Sequence, residues 1–244
     1  MEISDIFLSK LKSSKNVGAV CGAGISNESG VPTFRGEDGL WKKFRAEELA
    51  NFDAFISNPE LVWEWYNFRK RLTFNVEPNP GHYALAEMEN LYDNFFIITQ
   101  NVDNLHRRAG SKNVIEIHGN IMQSKCIKCN KRYNDMPFDE NIKSIPKCEC
   151  GEMIRPDVVW FGEMLSEKLL KKSYELLNEC QLLFVIGTSG YVYPAASFPS
   201  VAKENGAYLI EINVEKTHIS NIMDKTLLGL SGKILPDIVE KIKN

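Results

Sequence analysis

Three apolar runs constrain this chain most. Apart from Gly18, residues Val17 to Cys21, Phe95 to Ile98 and Leu182 to Ile186 are continuously apolar rather than alternating. That pattern fits strands of a parallel sheet covered on both faces. Each run ends abruptly in glycine or in amide and hydroxyl side chains: Gly22-Ala23-Gly24, Thr99-Gln100-Asn101 and Gly187-Thr188-Ser189. Helical periodicity lies between them. Ile3, Phe7 and Leu11 recur at i, i+4 and i+8, predicting a helix over about 3–14, and further helices are expected over 82–90, 169–178, 195–205 and 235–242. Shorter strands are expected at Val114 to His118 and Tyr208 to Asn213, with Val158 to Phe161 extended. Strands alternating with helices imply right-handed crossovers and an α/β, doubly wound parallel sheet. Ligands of such sheets bind beyond the carboxyl ends of the strands, where the polar clusters sit.

Two stretches break the alternation. Residues 36–75 are aromatic and helical, with Trp41, Phe44, Leu49, Phe52 and Phe55, then Asn58-Pro59-Glu60 as a helix start. Residues 121–155 hold four of the six cysteines, as Cys126-x-x-Cys129 and Cys148-x-Cys150. Two short-loop pairs of thiolates supply the tetrahedral set that Zn²⁺ takes, in a segment too poor in apolar residues to fold without it. Four thiolates leave no open position, so one structural Zn²⁺ per chain is expected. Cys21 and Cys180 stand alone in apolar company as small buried hydrophobes.

The net charge of -3 and scattered Lys/Arg pairs, such as Lys42-Lys43 and Lys171-Lys172, argue against a nucleic-acid partner. No apolar run approaches the ~20 residues that span a bilayer, and the first 15 residues lack the pattern of a secretion signal, so no membrane is expected. Metal-type cysteine spacing suits a reducing cytosol, and hence a cytoplasmic location. Nothing in the sequence requires an oligomer.

Gly22-Ala23-Gly24 after a strand fits a backbone cradle for a pyrophosphate, and equally a tight strand-to-helix turn. The full dinucleotide fingerprint wants a third glycine where Asn27 stands. Stronger is Thr99-Gln100-Asn101-Val102-Asp103-Asn104-Leu105-His106, where amides and a carboxylate follow an apolar strand with no helical face to explain them. Gln100 and Asn101 can bond ribose hydroxyls or a carboxamide, and Asp103 can take a carboxamide N–H₂. His118, at a strand end before Gly119, reads as a hydrogen-bonded core residue or as part of this site.

Taken together, Gly22 to Ser26, Pro32-Thr33-Phe34-Arg35, Thr99 to His106, Ile117-His118-Gly119, Arg155 to Glu163 and Gly187-Thr188-Ser189 resemble the sirtuins, NAD-dependent protein lysine deacylases. The likeness runs from Gly18 to Pro236. It implies a Rossmann-like NAD-binding domain of residues 1–35, 76–120 and 156–244, a helical insert 36–75 and a zinc-binding module 121–155. It also implies that NAD meets Gly22, Ala23, Gly24, Ser26, Thr33, Phe34, Arg35 and Trp41, then Gln100, Asn101, Val102, Asp103 and His118. Gly187, Thr188, Ser189, Asn213, Val214, Glu215 and Ser231 would complete that site. In this family the acyl-lysine oxygen attacks the ribose carbon carrying nicotinamide, and the histidine, here His118, then activates a ribose hydroxyl; an imidazole pKa near ~6.5 suits that task. The substrate peptide would add as a strand between Val159–Glu163 and Gly190–Tyr193, touching Val159, Phe161, Gly162 and Val192. Position 231 is commonly alanine in the family, so Ser231 is a mild departure.

Tyr66 and Arg69 lie at i, i+3 on one predicted helix. By itself the pair reads as a packed tyrosine beside a surface arginine. Within the resemblance it matches the signature of enzymes that remove succinyl and malonyl groups, since a guanidinium binds a carboxylate in two-pronged fashion and a phenol adds a third bond. Ala46 and Ala50 leave room for the longer acyl group. Plain deacetylation and protein mono-ADP-ribosylation are the nearest other activities. A dehydrogenase lacks its third glycine and ribose carboxylate here, and a non-catalytic zinc-and-nucleotide module would not need His118.

Overall fold

A computed structural model of the chain describes residues 5–33, 49–134 and 145–244. Phe34, Arg35, Trp41, Phe44 and Ala46 lie outside the described residues. The main sheet is six-stranded and parallel throughout: β1 (Asn16–Cys21), β2 (Asn94–Thr99), β3 (Val114–Glu116), β7 (Leu182–Ile186), β8 (Tyr208–Asn213) and β9 (Lys225–Leu228), in the order β3-β2-β1-β7-β8-β9. The chain therefore reverses its direction of winding at β1, which pairs with β2 on one side and β7 on the other.

Side chains alternate across this sheet into two separate cores. Val17, Ala19, Phe95, Ile97, Phe184 and Ile210 face one layer, covered by Phe7 and Leu11, by Leu85 and Met88 and by Leu235 and Ile238. Val20, Phe96, Ile98, Leu183, Val185 and Leu209 face the other, under Leu177, Phe198 and Ala202. Burial on both faces is why these strands show no period of two in their hydrophobicity. Gly18 is required by packing: a Cβ there would lie 2.3 Å from the ring of Phe96 on the neighbouring strand.

A second, antiparallel sheet has the order β5-β4-β6, from β4 (Gly119–Cys126), β5 (Arg132–Asn134) and β6 (Ile154–Val158). The extended stretch expected at 158–161 thus ends a strand of this small sheet. Beside it runs the helix Pro59–Phe74, started by Pro59 and by the Asn58 side chain accepting from the Leu61 N–H at 3.1 Å. A third buried cluster joins the two: Leu49, Phe55, Trp63, Trp65 and Tyr66 pack with Ile121, Cys126, Cys148, Ile154 and Trp160. Gly119 makes the passage between sheets possible. Its φ is +84°, and the Asp157 carbonyl oxygen lies 2.1 Å from where a Cβ would stand.

Candidate active site

The polar strand ends meet at the reversal of winding. Gly22 and Gly24 donate their N–H groups to the carbonyls of Ile186 (2.9 Å) and Gly187 (2.8 Å). Both amides are engaged within the protein, which fits the tight-turn reading of this stretch. The glycines let two loops touch: a Cβ on Gly24 would lie 2.6 Å from the Gly187 Cα. The helix that follows, Gly24–Asn27, is a single turn. It places Ser26 in the interior.

Ser26 Oγ donates to Asp103 Oδ2 at 2.7 Å and accepts from Asn101 Nδ2 at 3.1 Å. Asn101 Nδ2 also reaches the Gly22 carbonyl at 3.1 Å, and the Leu105 N–H holds Asp103 Oδ1 at 2.9 Å. Burial pushes the Asp103 pKa up, while Leu105, Ser26 and Arg69 pull it back. Gln100 Nε2 donates to Thr188 Oγ1 at 3.0 Å, and Asn213 Nδ2 to the Thr188 carbonyl at 3.1 Å, so Thr188 ties three strand ends together. Ser189 is half-buried beside them, and Val214 and Glu215 are exposed. Thr33 is the last described residue before the gap in the described chain, and is half-buried.

His118 is half-buried, with Nδ1 3.0 Å from the Gln100 carbonyl oxygen. A carbonyl only accepts, so Nδ1 carries the proton and Nε2 keeps its lone pair. Burial lowers the imidazole pKa, opposed in part by that hydrogen bond; the unshifted value expected from sequence is not found.

One cavity is lined by Ala23, Ser26, Asn101, Val102 and Asp103 on the sheet side and by Arg69, Leu72 and Thr73 on the helix side. The Arg69 guanidinium lies 4.7 Å from the Trp65 ring centre and 5.5 Å from that of Tyr66. Arg69 is buried, not on the surface. Burial lowers its pKa, countered by Tyr66 and Asp103. The small Ala50 is buried, and its carbonyl accepts from the Phe161 N–H at 2.9 Å, so the helical segment borders the Val159–Glu163 edge. Phe161, Gly162 and Val192 are exposed and Val159 half-buried.

Ser231 donates to Glu28 Oε1 at 3.0 Å, and the Gly232 N–H to the same oxygen at 2.8 Å. The hydroxyl therefore serves the start of helix Ser231–Lys243, and Glu28 is a residue that sequence reasoning passed over. Arg155, Trp160 and His106 lay in segments that carry the resemblance but were given no role of their own, and His82 was passed over. The two histidine rings lie 5.0 Å apart at the edge of the Ser26 network. Among the described residues, neither His106 nitrogen has a hydrogen-bond partner.

The sulfurs of Cys126, Cys129, Cys148 and Cys150 all lie within 4.8 Å of one another, with Cys126–Cys150 and Cys129–Cys148 both at 3.5 Å. Four thiolates at about 2.3 Å from one zinc ion stand about 3.8 Å apart, so the set fits a structural zinc.

Residues 22–194 match the Sir2 family. The NAD-dependent protein deacylase of Pyrococcus abyssi is 51% identical over 238 residues, 96% of this chain and 95% of that protein. The NAD-dependent protein deacylase of Aquifex aeolicus is 55% identical over 212 residues, 86% and 87% of the two chains. A solved Sir2 homologue in complex with NAD superposes with a TM-score of 0.93 at 43% identity, covering 99% of this chain and 94% of that one. A Sir2 complex with a p53 peptide and NAD⁺ superposes with a TM-score of 0.85 at 32% identity, over 97% of each chain. With the glycine loops, the polar strand ends and the cysteine cluster in place, the chain belongs to the Sir2 family, the family of these NAD-dependent protein deacylases.

Proposed function

We propose that this protein removes acyl groups from lysine side chains of other proteins with NAD as co-substrate, and that it favours acyl chains ending in a carboxylate. NAD, when bound, supplies a ribose carbon that parts with nicotinamide and accepts the acyl oxygen. Gln100, Asn101, Val102 and Asp103 shape the nicotinamide and ribose end, with Gly22, Ala23, Gly24 and Ser26 beside them. Gly187, Thr188, Ser189 and Asn213 serve the phosphate and adenosine end. His118 is the general base, its Nε2 lone pair left available by the bond from Nδ1 to Gln100.

The observation that carries the acyl preference is the placement of Arg69. Its buried guanidinium lines the same cavity as Asn101 and Asp103, with the Tyr66 ring 5.5 Å away behind it, so a chain passing the reacting centre would meet a cationic donor backed by a phenol. The peptide backbone adds as a strand between the exposed Phe161-Gly162 turn and Val192. All six cysteines are free, which suits a reducing, cytoplasmic setting.

The test is nicotinamide release from NAD by the purified protein, with one peptide carrying either succinyl-lysine or acetyl-lysine and mass analysis of both products. Release that requires the acyl peptide, yields O-acyl-ADP-ribose and favours succinyl is expected. Preference for acetyl overturns the acyl-end assignment, and release with neither peptide, with label passing to protein, overturns deacylation itself.

A further inference from the structure

Trp160 connects two parts of the molecule with different tasks in the function proposed above. Its backbone belongs to the Val159–Glu163 edge, while its indole reaches helix Pro59–Phe74 and donates from Nε1 to the Tyr66 hydroxyl at 2.8 Å. Both side chains are buried, at 2% and 1% exposure. The indole is held at Nε1 and at one face. The Arg155 guanidinium lies 3.3 Å from its ring centre, Arg155 is paired with Glu163, and Glu163 also accepts the Trp160 backbone N–H at 2.8 Å. Arg155 donates further to the Val158 carbonyl at 2.7 Å.

The chemistry of these neighbours decides what Tyr66 can do. An indole N–H only donates, and so does a guanidinium. Tyr66 thus accepts the Trp160 proton, with the Arg69 guanidinium nearby, 5.5 Å from its ring centre. A phenol has one proton of its own to give. Among the described residues nothing takes it. Burial raises the phenol pKa, so that proton stays in place at neutral pH.

We infer that Trp160 is a positioning residue for acyl selection: by filling the acceptor side of Tyr66, its indole N–H turns the phenol proton toward the acyl end. Tyr66 then offers its proton beside the Arg69 cation, and an acyl chain tipped with an acceptor oxygen takes that proton. The inference rests on the roles of Tyr66 and Arg69 proposed above, and it adds that the choice is set from the peptide-binding edge.

The test uses Trp160→Phe, which keeps an aromatic face for Arg155 and deletes the N–H. Steady-state kinetics are measured with succinyl and acetyl forms of one peptide for wild type, Trp160→Phe, Tyr66→Phe and the double variant. Loss of one neutral hydrogen bond should raise KM for the succinyl peptide about fivefold, with kcat little changed and a smaller rise for acetyl. Because Trp160 acts through Tyr66, adding Trp160→Phe to Tyr66→Phe should cost nothing further. Equal rises for both peptides, or full additivity in the double variant, overturn the inference and leave Trp160 as a support of the peptide edge. Nuclear magnetic resonance of protein carrying ¹⁵N-labelled tryptophan reads the contact itself. The Trp160 indole signal should move in Tyr66→Phe and on addition of the succinyl peptide, and a signal that moves in neither case overturns the contact even if Trp160→Phe fails to fold. If wild type removes no succinyl group, the functional proposal falls and the positioning role with it. If wild type favours succinyl while Trp160→Phe harms both peptides alike, only the positioning role falls.

Discussion

The carbonyl oxygen of Gln100 sits 3.0 Å from Nδ1 of His118 and so fixes which ring nitrogen carries the proton. Burial lowers the imidazole pKa more than this bond raises it, so the ring is neutral at pH 7. Only the neutral ring accepts a proton; activity therefore rises with pH through the lowered pKa and is lost as pH falls through it. The acid midpoint of kcat/KM should lie below the ~6.5 of a free imidazole, and a midpoint above ~7 would contradict the assignment. His118→Ala should lower kcat/KM by ~10² or more with little change in thermal midpoint.

Arg69→Met removes the cation from the cavity while keeping bulk against Trp65. A hydrogen-bonded charge contributes about 1.5–3 kcal/mol, so KM for a succinyl peptide should rise about tenfold to a hundredfold. The acetyl peptide lacks the carboxylate and should change by only about twofold. Equal losses for the two peptides would make Arg69 a structural residue.

Removal of zinc should be felt well beyond the thiols. Cys126 and Cys148 are buried in the cluster that contains Phe55, Trp63, Trp65 and Trp160, so a chelator should change tryptophan fluorescence and near-ultraviolet dichroism together. Chelation that strips the metal while leaving both signals intact would show that the cluster stands without it.

Glu28 bonds both the Ser231 hydroxyl and the Gly232 amide. Glu28→Ala should cost about 1–3 kcal/mol, a fall of several degrees in Tm. Ser231→Ala loses one bond and should cost ~1 kcal/mol or less, with KM for NAD nearly unchanged. A large rise in KM for NAD in Ser231→Ala would return the hydroxyl to the nucleotide site.

Gly24→Ala places a methyl 2.6 Å from the Gly187 Cα, and backbone cannot step aside as a flexible side chain can. The two loops should separate, with a loss of about 1–3 kcal/mol and a weaker grip on NAD measured by calorimetry. Unchanged affinity and stability would mean that the loops do not need this contact.

The parallel sheet was legible because strands buried on both faces are written as unbroken apolar runs, and β1, β2 and β7 follow those runs closely. β4 was not, since Gly119–Cys126 is a mixed polar segment whose pairing partner β6 lies beyond the cysteines. β9 is short and half-exposed, and left no pattern. At the site, Gln100, Asn101 and Asp103 stood out as polar side chains with no apolar face to explain them. Trp160 did not, because a tryptophan in an apolar stretch reads as core, and its partner Tyr66 is 94 residues away. Gly22 and Gly24 left two readings open, because sequence shows that a Cβ is absent, not whether an anion or another loop fills the space.

The cores of the main sheet and the cluster around Trp160 draw on different side chains, and the segments that build the latter leave and rejoin the sheet at its polar end. The molecule thereby packs its sheet and its Trp160 cluster as separate sets of side chains. Changes among the side chains around Tyr66 fall outside the layers that cover β1 and β7. A scaffold built this way can change which modification it reads while keeping one co-substrate, and new specificities within it can arise from a handful of changes in one lobe.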